Sequence, residues 1–324
     1  MLLLCTDLHL DDQKANEYRW RVFDELDRVC STRQVSCVYC LGDMTDKRDR
    51  FSADMLNRLV RRWQAVPCRK RILRGNHDTT ITGPAFWEFL SEIEGIEYVT
   101  RPTSYGYGDL LLLPFSSNPR VEWEGIAWRG YKSAFLHATR SGTIAENGFA
   151  LSGQDLPQIP RSIKVYSGDV HTQQEVDNWT YVGASHPVKF GDRYPCRFLL
   201  LDEHTYEITE EVPVETIRKR VVEIRTLDDL RLAETRPGDQ VKFRAVLPPG
   251  EADWGALEAA VEAFARERGV EVASIEGSHD LPAQSGQPSA ELEPEELLRA
   301  FAQEEEVTDE LLDVGIELLS EVRG

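Results

Sequence analysis

Short apolar runs punctuate the first two-thirds of the chain: LLLC (2–5), SCVYCL (36–41), RKRILR (69–74), SAFL (133–136) and IKVYS (163–167). Bounded by polar and glycine-containing stretches, they read as short strands. Between the first two, Tyr18, Val22, Leu26 and Val29 recur at helical spacing and predict a helix over 16–32. Met55, Leu59 and Trp63 predict another over 52–66, with Ser52 as its N-cap. Residues 109–115, 163–167 and 197–202 continue the strand series, whereas 140–161, carrying Gly142, Gly148, Gly153, Pro157 and Pro160, reads as loop. Strands alternating with helices predict an α/β fold.

A second unit starts near residue 214. VVEIRT (221–226) and QVKFRAVL (240–247) read as strands, 253–268 as an amphipathic helix with Leu257, Ala260, Val261 and Phe264 inward, and VEVASIE (270–276) as a closing strand. So small an α+β unit has a marginal core on its own. Residues 281–293, rich in Pro, Ser, Gly and Gln, read as a linker. In the tail, 294–324, Leu297, Leu298 and Phe301 form one apolar stripe, and Leu311, Leu312, Ile316, Leu318 and Leu319 another. Two such acidic helices either fold back on the second unit or dock on a partner.

A length of 324 residues favours two domains. No run of eighteen apolar residues occurs, so no membrane span is expected, and the opening MLLLCTDLHL lacks the basic start of a signal peptide. The six cysteines read as buried free thiols, because Cys37 and Cys40 share a strand and point to opposite faces. That usage fits a reducing, cytoplasmic compartment. The net charge of −19 argues against a nucleic-acid-binding surface spread over the whole molecule, yet residues 47–74 hold ten Lys or Arg against two Asp.

The candidate chemistry lies where the apolar runs stop. There stand Asp7-Leu8-His9, Gly42-Asp43, Gly75-Asn76-His77-Asp78, His137 and Gly168-Asp169-Val170-His171. Parallel strands that end in such residues bring them to one sheet edge, where open α/β folds bind substrates. Oxygen and imidazole donors converging on one edge are what a two-metal hydrolase needs.

On these motifs the chain resembles the calcineurin-like metallophosphoesterases, and more narrowly the SbcD-type nuclease subunits that act with an SbcC-type ATPase. The narrower likeness rests on the short distance from Asp7 to His171, on the stretch GASHPVKFGD (183–192), and on a second unit and helices placed where that group has its capping domain and ATPase-binding helices. The resemblance implies a four-layer α/β/β/α sandwich over 1–213, an α+β cap over 214–280, and C-terminal helices that bind the ATPase.

Carried over residue by residue, it implies one metal on Asp7, His9, Asp43 and His171, and a second on Asp43, Asn76, His137 and Asp169. Asp43 would bridge them. The metals would be two Mn²⁺, with Mg²⁺ as the alternative. His77 would protonate or stabilise the leaving oxygen, with Asp78 orienting it. One position departs from the family, which has Gly-His-x-His where this chain has Gly168-Asp169-Val170-His171. A carboxylate there favours harder cations, unless Asp169 is no ligand and the second site is degraded. Asp11 and Asp46 read as capping or supporting residues, and His186 either lines the cleft or is a plain loop histidine.

Arg58, Arg61 and Arg62 are either contacts to a phosphate backbone or a solvated helix face. No Walker A pattern occurs, so any ATP dependence would come from another chain. The implied function is cleavage of DNA ends or hairpins in repair, recombination or replication, by a homodimer with an ATPase partner. A stand-alone phosphatase or cyclic-nucleotide phosphodiesterase, or a catalytically weak scaffold that recruits an ATPase, are the rival readings.

Overall fold

In the computed structural model, residues 1–48, 50–80, 86–145, 148–247 and 254–279 are described. The linker and tail, 281–324, with their two apolar stripes, lie outside the described residues.

The first sheet takes its centre from four parallel strands, β1 (Leu2–Cys5), β2 (Cys37–Cys40), β3 (Arg69–Leu73) and β4 (Ile96–Val99). Between them run α1 (Val22–Arg33) and α2 (Ala53–Ala65). The second sheet follows with β5 (Thr103–Tyr105), β6 (Leu110–Leu113), the single-turn α3 (Pro119–Glu122), β7 (Ser133–His137), β8 (Lys164–Gly168), β9 (Gln174–Val176) and β10 (Trp179–Tyr181). Its order is β5-β6-β7-β8-β10-β9, parallel from β6 through β10. The chain then returns to the first sheet with β11 (Arg197–Leu201), antiparallel to β1, and β12 (Ile208–Pro213).

Period-two alternation decides how the layers stack. Leu2 and Leu4 turn towards the second sheet, meeting Leu110, Leu112 and Phe135, while Leu3 and Cys5 turn towards Phe23, Leu26, Leu59 and Trp63 of the helices. Cys37 and Cys40 lie on opposite faces in the same way, and all six cysteines are free thiols. Strands buried on both faces need continuous apolar runs, which is why LLLC and CVYC do not alternate. Each fully buried large apolar side chain contributes on the order of 1.5–3 kcal/mol.

The sandwich is the expected one, with two departures. The predicted helix at 16–32 opens as a 3₁₀ segment, Lys14–Arg21, and becomes α-helical only at Val22. The fourth layer, over the second sheet, is built from α3 and loops that carry Ile126, Trp128, Leu151, Leu156 and Ile159. The helix over 52–66 forms as read: the Ser52 hydroxyl accepts from the Met55 N–H at 3.1 Å.

Beyond β12, a three-stranded sheet of β13 (Lys219–Ile224), β14 (Gln240–Leu247) and β15 (Glu271–His279), with α4 (Asp228–Leu232) and α5 (Trp254–Arg268), encloses its own core of Ile224, Phe243, Leu257 and Val261. It is tied back to the main body, with the Gln240 amide donating to the Ala15 carbonyl at 2.6 Å. These ties supplement a small core. No helix among the described residues is long and apolar enough to cross a membrane.

Candidate metal centre

The carboxyl ends of β1, β2, β3, β7 and β8 deliver all five motifs to one place. Backbone hydrogen bonds lace the first two motif loops together: Asp7 N–H to Gly42 O at 3.1 Å and His9 N–H to Asp43 O at 2.9 Å. Four of the seven candidate ligands hold left-handed backbone: Asp7 (φ 52°), His9 (φ 40°), Asp43 (φ 51°) and Asp169 (φ 77°). Non-glycine residues rarely sit there, and such strain persists only where surrounding structure enforces it. Two glycines make the crossing possible. A Cβ on Gly75 would lie 2.1 Å from the Asp43 Oδ1, and one on Gly168 would lie 2.8 Å from His137 Nδ1.

Within this frame Asp43 is central. Its Oδ1 lies 3.3 Å from His137 Nε2 and its Oδ2 lies 3.7 Å from His9 Nε2. On the His9 side, His9 Nε2 is 3.1 Å from His171 Nε2, and Asp7 completes the group. On the His137 side, Asn76 Oδ1 is 3.1 Å and Asp169 Oδ1 3.6 Å from the same Nε2. Asp169 is steadied by the Thr139 hydroxyl, which donates to its Oδ2, and its own N–H donates to Asp7 Oδ1 at 3.3 Å. All seven sequence-predicted ligands are therefore brought together, Asp169 included.

The donor set fits divalent cations on its own chemistry. His137 Nδ1 lies 2.6 Å from the Leu41 carbonyl, which can only accept. Nδ1 then carries a proton, and Nε2 faces the oxygens of Asp43 and Asn76. In His9, Nδ1 lies 3.3 Å from Asp46 Oδ1 and Nε2 faces another imidazole nitrogen. Where lone pairs face one another at such distances, a cation between them relieves the repulsion. Burial holds His9 down to about 3, so it brings no positive charge. Asp7 Oδ2 is buried without a hydrogen-bond partner. No Lys or Arg among the described residues forms an ion pair with Asp7, Asp43 or Asp169. Three facing carboxylates with nitrogen and oxygen donors suit Mn²⁺ or Mg²⁺.

A pH test follows. Burial pushes the carboxyls of Asp7 and Asp43 well above the usual range. In the metal-free chain such groups keep protons that the unfolded chain releases above about pH 4. Their stabilising contribution is complete below that pH and is lost as pH rises through the folded values. Bound cations reverse the sign, because they favour the ionised form. Saturating Mn²⁺ should therefore raise the denaturation midpoint more at pH 8 than at pH 5; an equal increment at both would contradict this.

His77 lines the cleft beside the ligands. Its backbone N–H donates to Asp43 Oδ1 at 2.9 Å, and its Nδ1 lies 2.8 Å from the Asp46 carbonyl, the acceptor that orients the ring. The expected orienting role of Asp78 is corrected here. Its buried carboxylate instead accepts from the N–H groups of Met44 (3.2 Å), Thr45 (3.2 Å) and Gly75 (2.9 Å), and so clamps two motif loops together. Asp78→Ala should cost about 3 kcal/mol or more in urea unfolding, because it leaves those donors unpaired inside the protein. A loss under 1 kcal/mol would show that the clamp is dispensable.

Two of the three arginines of α2 are engaged within the fold. Arg58 forms a two-pronged pair with Glu17 and lies 4.2 Å over the Trp20 ring, and Arg62 pairs with Asp24 at 2.9 Å. Both staple α2 to the segment before it. Arg61 is exposed. His186 is buried against Tyr18 and held well below its ordinary value by burial; it does not line the cleft. Asp11 has a supporting role, accepting from the Asn16 amide at 2.6 Å, whereas Asp46 faces His9 and with His9 and His77 forms a further group whose geometry suits a metal ion. Sequence reasoning missed Thr139, whose signal was its place two residues after His137. It also missed Arg19, a buried guanidinium that donates to the His9 and Val188 carbonyls.

The family model for calcineurin-like phosphoesterases matches residues 1–217, and the chain belongs to that family. No curated protein matches it. Among solved structures, one characterised as a novel archaeal phosphodiesterase aligns at 14% identity and a TM-score of 0.38, over 66% of this chain and 99% of that one. So distant a likeness carries no argument here. The fold, the family and the donor set together define a metal-dependent phosphoester hydrolase.

Proposed function

We propose that this chain is a Mn²⁺-dependent phosphodiesterase that cuts DNA, the nuclease subunit of a complex with an SbcC-like ATPase. The observation that supports a two-metal enzyme best is Asp43, with one oxygen turned to His137 and the other to His9. When bound, the cations supply Lewis acidity at a phosphoryl oxygen and ease the deprotonation of water. The chain's own residues do the rest. Asp43, His9 and His137 fix where the phosphoryl group sits. His77, its Nδ1 held by the Asp46 carbonyl, keeps Nε2 for the substrate and in its charged form donates a proton to the departing oxygen.

The DNA substrate, the homodimer and the ATPase partner rest on the resemblance of the 183–192 stretch, the cap and the tail. One observation favours a second reading, a small phosphodiester substrate. Arg58 and Arg62 are engaged in ion pairs, which leaves that helix face with little charge for a DNA backbone.

The test is Mn²⁺-dependent cleavage of linear and hairpin DNA beside a cyclic nucleotide and a chromogenic phosphodiester. Cleavage of DNA that weakens steeply with salt supports the nuclease. Cleavage of the small diesters alone supports the second reading. For the partner, removal of residues 294–324 should abolish binding to an SbcC-like ATPase and leave cleavage of the simple diester intact; retained binding would defeat the tail assignment.

A further inference from the structure

The cleft of about 370 Å³ over the metal ligands is lined by His9, Asp43, Asn76, Asp169 and His171 at its floor. Its rim includes an exposed lysine, Lys189, the one Lys or Arg among its lining residues. Three nearby cations, Arg19, Lys219 and Arg140, are already engaged. Arg19 donates to the carbonyls of His9 and Val188, and Lys219 donates to the Val188 carbonyl at 3.3 Å and to Asn16 Oδ1 at 3.4 Å. Arg140 is paired with Asp177 at 2.6 Å. Lys189 has no ion pair among the described residues.

The backbone under Lys189 is held from both sides. The N–H groups of Val188 and Lys189 donate to Asp192 Oδ2 at 2.9 and 2.7 Å, and the Tyr194 hydroxyl donates to the same oxygen at 2.8 Å. From the third sheet, Lys219 grips the Val188 carbonyl, and its own carbonyl accepts the Gly191 N–H at 3.1 Å. A rigid perch at the rim therefore presents a flexible ammonium to the cleft. Prepaid ordering of this kind converts into affinity.

We propose that Lys189 is a substrate-binding residue that contacts a non-reacting oxygen of the phosphodiester, on a perch held in place by the third-sheet unit. The inference rests on the phosphodiesterase reading. A substrate of this cleft is negatively charged, and a mobile cation at the rim both attracts it and lets the product leave. A lysine suits that task as a point charge with rotatable donors.

The test is titration calorimetry of the Mn²⁺-loaded chain with a thymidine dinucleotide whose linkage is a phosphorothioate, compared across wild type, Lys189→Ala and Lys189→Arg. Expected is about five- to tenfold weaker binding for Lys189→Ala, with Lys189→Arg within about twofold of wild type and metal content unchanged in all three. Equal binding by wild type and Lys189→Ala would overturn this inference and leave the phosphodiesterase reading standing. So would a Lys189→Arg variant as weak as the alanine. A wild-type chain that loads Mn²⁺ yet binds no dinucleotide would overturn both.

Discussion

Replacing Asp43 by Asn should lower turnover of any phosphodiester substrate by about a thousandfold or more and reduce bound Mn²⁺ from two ions per chain to one or none. The size of the effect follows from position. Asp43 reaches both histidine clusters, so loss of its charge strikes both sites at once. The fold should survive, because Asn accepts the left-handed backbone that Asp43 occupies and the backbone N–H of His77 still finds an amide oxygen. The metal-free variant should be at least as stable as the metal-free wild type, since burial with Asp78 and Asp169 nearby opposes the Asp43 charge. Elemental analysis after dialysis against Mn²⁺, with urea unfolding of the metal-free proteins, checks both halves. A variant that keeps two metals would remove Asp43 from the bridge.

His77→Gln should separate chemistry from metal binding. Its ring meets the Asp46 carbonyl, and only its backbone N–H meets Asp43, so the glutamine variant keeps that contact and should retain two metals. Turnover should fall about 10²- to 10⁴-fold, the usual share of a positioned proton donor, with KM little changed. An activated leaving group such as nitrophenolate needs little proton donation, so the chromogenic diester should suffer less than DNA. Equal losses on both substrates would assign His77 to charge stabilisation, and loss of metal would make it a ligand or a ligand's support.

The candidate ligands were legible in the chain because each follows an apolar run, and the register of parallel strands does the rest. Once β1, β2 and β3 lie side by side, Asp7, Asp43 and Asn76 arrive at one edge without further instruction. The N-cap at Ser52 and the face of α2 were legible for a similar reason, since both depend on neighbours within one turn. The orienting partner of His77 was not legible. It is a main-chain carbonyl 31 residues away, and every residue has a carbonyl. Asp78, next in sequence, looked the better candidate until the backbone N–H groups that claim it were visible. Arg58 and Arg62 were ambiguous because their partners, Glu17 and Asp24, lie 41 and 38 residues away. Lys189 was read only as part of the 183–192 stretch, and its perch, built in part from the third sheet, sets it at the cleft.

Asp169 is where sequence and structure inform each other most. The carboxylate in place of the family's imidazole raised the choice between a harder metal site and a degraded one. In the fold it faces His137 at 3.6 Å and is held by Thr139 on its other oxygen, as a metal ligand supported from behind is held.

The most direct measurement is an anomalous difference map from crystals grown with Mn²⁺. Two peaks ~3.5–4 Å apart are expected, one by His9 and His171, the other by His137, Asn76 and Asp169, with Asp43 between them. A single peak, or a second that leaves Asp169 and His137 unengaged, would contradict the two-metal centre.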